Sequence, residues 1–194
     1  MPRIKILKDK NQIIDAAVRI IEAEGLSAVS MRRLSKEMGV SSMTLYNYVR
    51  NMDDVMREIL IRSFNKLYEN MLGLMGELRR EGKTGIRAYA LALALAMYDF
   101  ASDNQDVCAY LICDGKTAFH DDAELRPFYD PFGSFLLGAE ASENGRVLKA
   151  ACRWYESALM TIIWEYTIGV TELSREELEG LVDIFISRMF PENL

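Results

Sequence analysis

Apolar residues recur along this chain every three or four positions, and no stretch alternates strictly between apolar and polar residues. A spacing of that kind places the apolar side chains on one face of an α-helix. Four prolines in 194 residues leave few points at which a helix must be interrupted. The pattern therefore predicts an all-α fold.

The first helix is predicted between Asp9, whose carboxylate can cap the amino terminus, and Gly25. A long fourth helix is predicted from Asn51, also a cap, to Arg80, with Gly82 as its stop. The apolar stripe of the first helix consists of Ile13, Ile14, Ala17, Ile20 and Ile21. Later helices are predicted at residues 86–102, 105–113, 132–141, 144–168 and, from a capping box of Ser174 and Glu177, up to Phe190.

Two short helices lie between the first and the fourth. Ser30 begins the second helix, which ends at Gly39, and Ser41 begins the third, which ends near Val49. The tight turn between them needs a residue that tolerates a left-handed backbone, which Gly39 supplies, and a small residue where the helices touch, which is Ser35. The wedge between them is filled by Leu34, Met38, Val40, Leu45 and Tyr48. This arrangement predicts a helix-turn-helix whose third helix projects outward and fits the major groove of DNA.

The distribution of charge agrees with a nucleic-acid partner. The net charge of the whole chain is −6, but residues 1–50 carry +4 and residues 51–194 carry −10. Because salt screens distant charges over about 8 Å, the basic head can approach phosphates in spite of the acidic remainder.

Residues 30–35 (SMRRLS), 38–41 (MGVS) and 44–49 (TLYNYV) resemble the TetR (tetracycline repressor) family of regulators, and the strong resemblance covers about residues 8–60. It implies a helix-turn-helix domain at residues 1–52 and, joined to it by the long fourth helix, an effector-binding and dimerisation domain at residues 53–194. The implied function is a transcriptional repressor that a small-molecule ligand releases from a palindromic operator in double-stranded DNA.

The resemblance and the residue chemistry together indicate which side chains bind DNA. The hydroxyls of Thr44, Tyr46 and Tyr48 are expected to donate to phosphates, whereas Ser42, Met43 and Asn47 are expected to face the bases. The full set is Ser30, Arg32, Ser41, Ser42, Met43, Thr44, Tyr46, Asn47, Tyr48 and Lys10. The basic arm that contains Lys5, Lys8 and Lys10 either adds a DNA contact or is a solvated tail. The family often has lysine where this chain has Met52, so the phosphate contact there falls to Arg50 or is missing.

The family also implies a ligand cavity in the second domain, and its aromatic and methionine residues predict an apolar or aromatic effector. The candidate lining residues are Tyr89, Met97, Tyr110, Phe119, His120, Phe128, Phe132, Trp154 and Trp164. The alternative is that these residues form an ordinary core, which is the commoner role of such side chains at helical spacing.

The last two helices carry apolar faces that need a partner. These faces comprise Ala151, Ala158, Leu159, Ile162, Leu178, Leu181, Val182, Phe185 and Met189. They predict half of a four-helix interface in a homodimer, and the alternative is packing within one protomer.

Other classes of function find little support in the sequence. The spacing of His120, Cys108, Cys113, Asp121 and Asp122 matches no common zinc pattern, so no metal and no cofactor are predicted. Enzyme motifs are also missing, and no apolar run reaches the ~20 residues of a membrane span. The three cysteines are too few and too irregular for a disulfide framework, so we expect reduced thiols in a cytoplasmic protein. Two alternatives stay open: a small-molecule-binding or scaffolding module without a DNA-dependent role, and an enzyme with a helical site around His120.

Overall fold

The computed structural model describes residues 7, 9–110, 112, 121–133 and 143–189. All regular structure within these ranges is helical, which confirms the predicted all-α fold. The chain divides into two compact units, Met1–Ser63 and Phe64–Leu194. Within the described ranges no helix is long and apolar enough to cross a membrane.

The first unit contains α1 (Lys10–Glu24), α2 (Met31–Met38), α3 (Ser42–Tyr46) and the beginning of α4 (Met52–Arg80), with a 3-10 helix at Leu26–Ala28. Each α-helix starts at a polar side chain that accepts a hydrogen bond from an amide in its own first turn. The four caps are those predicted, at distances of 2.9 to 3.1 Å: Asp9, Ser30, Ser41 and Asn51.

The third helix is shorter than predicted. It ends at Tyr46, because the amides of Asn47 and Tyr48 donate to the carbonyls three residues back, of Thr44 and Leu45, in a tighter turn. Val49, the predicted end, lies beyond this turn and is buried. The expectation of a helix reaching Val49 was therefore wrong by about one turn.

The core of the first unit forms from one stripe on α1 and the inner faces of the short helices. Leu34 and Leu45 are fully buried, whereas Met38 and Val40 are half-buried. The α1 residues that are buried are Ile13, Ile14, Ala16, Ala17 and Ile20. This is the predicted wedge, with Ile21 of the predicted stripe half-buried at its edge.

The second unit is built around α5 (Gly85–Asp103), with α6 (Gln105–Tyr110), α7 (Arg126–Tyr129), α8 (Glu143–Thr167) and α9 (Arg175–Met189). Helix α5 is buried from Ala90 to Met97 and packs against α6, α8 and α9. Its many alanines permit this close approach on several sides, because a methyl group adds little width.

The boundaries of these helices agree with the prediction to within one to three residues where the structure describes them. Gly82 and Gly169 end α4 and α8 with positive φ angles of 81° and 72°. The Ser174–Glu177 capping box is present in both directions: the Ser174 amide donates to the Glu177 carboxylate at 2.8 Å, and the Glu177 amide donates to the Ser174 hydroxyl at 3.1 Å. Hydrogen bonds to the carboxylate from the Ser174 amide, and then from the Ser174 side chain, lower the pKa of Glu177. Most of the predicted helix at 132–141, together with residue 113 and Phe190, lies outside the described residues.

We predict that Gly39→Ala and Gly76→Ala change stability in opposite directions. Gly39 has a φ of +67° and no atom within 4 Å of an added Cβ, so the alanine would cost only backbone strain, about 1 kcal/mol. Gly76 lies inside α4 with equal space around it, so the same methyl group should stabilise by about 0.5–1 kcal/mol. Urea unfolding followed by circular dichroism measures both, and equal signs would contradict the backbone argument.

Candidate nucleic-acid interface

The two sides of α3 have very different environments. Leu45 and, just after the helix, Val49 are 0% and 1% exposed and face the core of the unit. Met43 is 75% exposed and Tyr46 is 51% exposed, and Asn47 is exposed beside them. An exposed methionine and tyrosine on one short helix form the kind of surface that binds another molecule. We call Met43, Tyr46 and Asn47 the outer side of α3.

The helices α2 and α3 meet at a pair of small hydroxyl residues. The Ser42 hydroxyl donates to the Ser35 hydroxyl at 3.3 Å, next to the Gly39 turn. Ser42 is consequently half-buried and faces α2, which differs from the outward position expected from the sequence. The sequence did not reveal this contact. Ser42 is the neighbour of the exposed Met43, and whether it faces α2 depends on how α2 crosses α3.

Two other hydroxyls serve the start of α3. The Ser41 hydroxyl accepts from the Thr44 amide at 3.1 Å and lies 2.9 Å from the Thr44 hydroxyl. Ser41 is exposed and Thr44 is half-buried. These bonds hold the first turn of α3 in place and bring the two hydroxyls together at its amino-terminal end.

The two tyrosines of this segment differ in what their hydroxyls contact. The Tyr48 hydroxyl donates to the backbone carbonyl of Leu7 at 2.8 Å. The Tyr46 hydroxyl has no hydrogen-bond partner within the described part of the chain. Of the predicted phosphate donors, the Tyr46 side chain is thus exposed to solvent, whereas the Tyr48 hydroxyl is already hydrogen-bonded to Leu7, three residues before the start of α1.

The two arginines of α2 also differ in whether their side chains have a partner. The Arg33 guanidinium forms hydrogen bonds to both Glu24 and Glu37, and the Arg33 hydrogen bond lowers the pKa of Glu24. Arg32 is exposed and forms no ion pair with the residues that the structure describes. Ser30, the exposed cap of α2, lies two residues before Arg32. Arg33 is a structural residue, and Arg32 is the cation available for a ligand.

Further cations gather at the start of α4. Lys10 lies 2.8 Å from Glu58 and 3.4 Å from Asp54. Arg50 donates to Asp54 through both its amide, at 3.1 Å, and its guanidinium, at 3.3 Å, while its side chain stays 84% exposed. Burial alone would raise the pKa of Asp54, but the hydrogen bonds from Arg50, together with the charge and the hydrogen bond of Lys10, outweigh it and the pKa is lowered. The ammonium group of Lys10 is thus paired with carboxylates. The Arg50 side chain is hydrogen-bonded to Asp54 and remains exposed to solvent.

Comparison with known proteins agrees with this geometry. Residues 13–59, which contain most of α1, all of α2 and α3 and the start of α4, match the family model of bacterial regulatory proteins of the tetR family. The HTH-type transcriptional regulator YobS of Bacillus subtilis is 35% identical over 103 residues, which are 53% of this chain and 50% of YobS. The HTH-type nicotine-responsive transcriptional repressor HdnoR of Paenarthrobacter nicotinovorans is 23% identical over 96% of this chain and 98% of its own.

The chain carries the helix-turn-helix domain of the TetR family at residues 13–59.

Its amino-terminal region is therefore that of a helix-turn-helix transcriptional regulator. The matched segment spans about half the length of YobS, and the match to the family model lies within the first unit. For the fold as a whole, the structure of the fatty acid degradation regulator FadR from Bacillus halodurans superposes with a TM-score of 0.64 at 17% identity, over 96% of this chain and 98% of FadR.

The predicted ligand residues of the second unit lie in different environments. Tyr89 and Phe132 touch edge to face at 5.2 Å, and the Tyr89 hydroxyl donates to the Pro131 carbonyl at 2.6 Å. Burial raises the pKa of Tyr89 to about 12. Tyr155, which sequence reasoning missed, packs against Phe132 at 5.8 Å and donates to the Ala90 carbonyl at 2.6 Å. We call the half-buried Tyr89 and the buried Phe132 and Tyr155 the aromatic cluster.

The remaining candidates do not join this cluster in the described contacts. Met97 is buried in α5, Tyr110 is half-buried at the end of α6, and Phe128 is described only by its backbone in α7. Trp154 is 72% exposed and Trp164 is 36% exposed, both on α8. Phe119 and His120 lie outside the described residues. No three His, Cys, Asp or Glu side chains in the ranges that are described could hold a metal ion together.

Helices α8 and α9 carry an apolar outer surface, and of the residues predicted for it Leu181 is exposed there. Ala151, Leu159, Leu178 and Val182 are buried inside the protomer, which corrects their predicted exposure to a partner. The large apolar side chains that are exposed on these helices include Val147, Trp154, Leu181 and Ile184. We call these four the α8–α9 surface. Beside it runs an apolar groove of about 140 Å³, lined by Tyr155, Ala158, Leu159, Ile162, Leu178, Leu181, Val182 and Phe185.

We predict that Asp54→Asn destabilises the first unit at pH 7 by about 1–2 kcal/mol, because Asp54 accepts charged hydrogen bonds. The lowered pKa means that this contribution is present above the ordinary carboxyl pKa and disappears as the pH falls through the folded value. The difference between wild type and Asp54→Asn should therefore be smaller at about pH 3 than at pH 7. Asp53→Asn, an exposed neighbour in the same first turn, is the control for denaturation at both pH values. A pH-independent loss in Asp54→Asn would contradict this interpretation.

Proposed function

We propose that this protein is a homodimeric repressor that binds a palindromic operator through residues 1–52 and is released by a small molecule bound within residues 53–194. The observation that carries the proposal is the exposed outer side of α3 on a folded helix-turn-helix. Its apolar inner side is buried, so the outward position of Met43 is fixed by packing and not by chance rotation.

In this proposal the outer side of α3 reads the bases. Asn47 can pair with adenine through its amide, and Met43 can contact thymine methyl groups. The exposed Tyr46 hydroxyl and the Arg32 guanidinium bind phosphates, which set the register without reading sequence. Arg50, held outward by Asp54, is a further phosphate contact beside Met52. Ser30, Ser41, Ser42 and Thr44 chiefly support these groups through the caps and the α2–α3 contact.

The α8–α9 surface supports a dimer between two copies of this chain. Trp154 projects from the same region as the apolar groove between α8 and α9. A two-fold axis would place a projecting side chain of each protomer against the groove of the other, because an isologous interface uses one surface twice. A helix-turn-helix dimer would then contact two half-sites about 34–36 Å apart or a multiple of that distance.

The effector is best sought among apolar or aromatic small molecules. HdnoR is named as nicotine-responsive and FadR as a fatty acid degradation regulator, and both match this chain over nearly its whole length. The aromatic cluster and α5 offer an apolar interior for such a ligand. The ligand would weaken DNA binding only by its difference in affinity between two states, typically about 1–3 kcal/mol.

The proposal is tested with a DNA duplex that the wild-type protein has selected from a pool of random sequences. We predict that Arg32→Ala binds the selected duplex about five- to tenfold more weakly, with a salt slope flatter by about one unit, because one phosphate contact is lost. Arg19→Ala is the control, since Arg19 is an exposed cation of the same unit that lies beside Asp15 and Glu37. Selection of no palindrome, or equal losses for Arg32→Ala and Arg19→Ala, would favour a scaffolding module instead.

The dimer has a separate test. We predict that Trp154→Ala raises the dimer dissociation constant at least ~30-fold, because a large buried aromatic residue at an interface typically contributes ~2 kcal/mol or more. Sedimentation velocity at micromolar concentration measures the change. Val170→Ser, which removes another exposed apolar side chain beyond the end of α8, should leave the dimer intact. A dimer insensitive to Trp154→Ala and Ile184→Asp would rule out this surface.

A further inference from the structure

The ring of Tyr155 belongs both to the interior of the second unit and to the border of its apolar groove. It contacts Phe132 edge to face, with the ring centres 5.8 Å apart and the planes at 89°. It also contacts Phe185 at 5.6 Å, and these two rings line the groove between α8 and α9. Because Tyr155 is only 3% exposed, this one buried ring joins the rest of the aromatic cluster to the groove.

The position of the Tyr155 ring is set from the interior. Its hydroxyl donates to the carbonyl of Ala90 in α5 at 2.6 Å. Phe132 is 0% exposed and is held in turn by Tyr89, whose ring lies 5.2 Å away and whose hydroxyl donates to the carbonyl of Pro131. Loss of the Phe132 ring would leave a space beside Tyr155, and a close-packed interior relaxes partly into such a space.

The groove is small, so its shape is sensitive to a movement of this kind. Its volume is about 140 Å³, and Tyr155 and Phe185 are the aromatic residues among those that line it. In the proposed dimer it receives a projecting side chain of the other protomer, and the core of a stable interface is packed as closely as a protein interior. A shift of Tyr155 toward the interior would change the groove and remove part of that contact.

We propose that Tyr155 couples the interior of the second unit to the dimer: the packing of Phe132 against the Tyr155 ring sets how tightly two protomers associate. Phe132 is thus a positioning residue, which acts on the groove through Tyr155. This inference rests on the dimer of the proposed function and adds a means of regulating it. An apolar effector that takes the place of Phe132 would change the affinity between the protomers without touching the partner.

The dimer dissociation constants of Phe132→Leu and Phe100→Leu test this coupling in the full chain. Both substitutions remove the same ring from a buried position, but Phe100, 6% exposed on α5, has no ring contact within the described part of the chain. We expect Phe132→Leu to raise the dissociation constant by about three- to tenfold, because it acts on the groove through Tyr155, and Phe100→Leu to change it by less than about twofold. Sedimentation velocity measures the constant, and circular dichroism establishes that both variants are folded.

Tyr155→Phe is a milder variant that decides the matter if Phe132→Leu does not fold. It removes only the hydroxyl that anchors the ring to Ala90 and keeps the ring that lines the groove. The dissociation constant should rise by about two- to fivefold, because the ring loses its anchor on α5. Tyr98→Phe is the matched control, since the Tyr98 hydroxyl donates to the Leu173 carbonyl at 2.9 Å and neither residue lines the groove. Its dissociation constant should stay within about twofold of wild type.

The outcomes separate this inference from the dimer on which it rests. An unchanged dissociation constant for folded Phe132→Leu would overturn the coupling, as would an equal rise for Phe100→Leu. If Phe132→Leu does not fold, an unchanged constant for Tyr155→Phe, or an equal rise for Tyr98→Phe, overturns it. Trp154→Ala changes the exposed surface directly and does not need Tyr155, so a dimer that responds to Trp154→Ala survives either result. A wild-type chain that sediments as a monomer, or a dimer insensitive to Trp154→Ala, would instead remove the proposed dimer surface.

Discussion

The interface depends on one constraint, the burial of Leu45 beneath a helix of only five residues, Ser42–Tyr46. A helix this short has no stability of its own in water. It persists because Leu45 and Val49 fill the core of the unit, Ser41 caps its start, and the left-handed Gly39 turns the chain into it. Once these contacts are made, the helix cannot rotate, and Met43 and Tyr46 must face solvent. The exposed surface is thus a consequence of the buried one.

Neighbouring residues of the same type have different roles, because their side chains have different partners. Arg33 is held by Glu24 and Glu37, which leaves Arg32 as the exposed cation of α2. Carboxylates of α4 likewise engage Lys10 through its ammonium group. The acidic residues of the first unit therefore do more than reduce its net charge. They select which of its cations stay available to a polyanion and which become part of the fold.

Much of the fold was predictable because helix signals are local. The caps Asp9, Ser30, Ser41 and Asn51 each bind an amide a few residues away, so sequence spacing alone locates them. The exposed outer side of α3 was also predictable, since a buried leucine fixes the phase of the helix. The family resemblance in the first unit was confirmed by the match over residues 13–59.

The parts that could not be predicted depend on contacts between distant residues. The Tyr48–Leu7 and Lys10–Glu58 bonds each join residues more than forty positions apart, and no local pattern reveals them. The apolar stripes of α8 and α9 were recognised, but a stripe does not show which of its members face the protomer. Leu159 and Leu178 are buried within the protomer, whereas Trp154 is exposed to solvent. A buried tyrosine such as Tyr155 gives no distinguishing signal in sequence.

The most direct test of the central claim is nuclear magnetic resonance of methyl-labelled methionines during titration with the selected duplex. Met43 is 75% exposed on α3, while Met71 and Met97 are 2% and 1% exposed and serve as internal references. If the outer side of α3 lies against the bases, the Met43 methyl resonance shifts strongly on addition of duplex and the Met71 and Met97 resonances stay nearly unchanged. Saturating duplex that leaves the Met43 resonance in place would contradict the account.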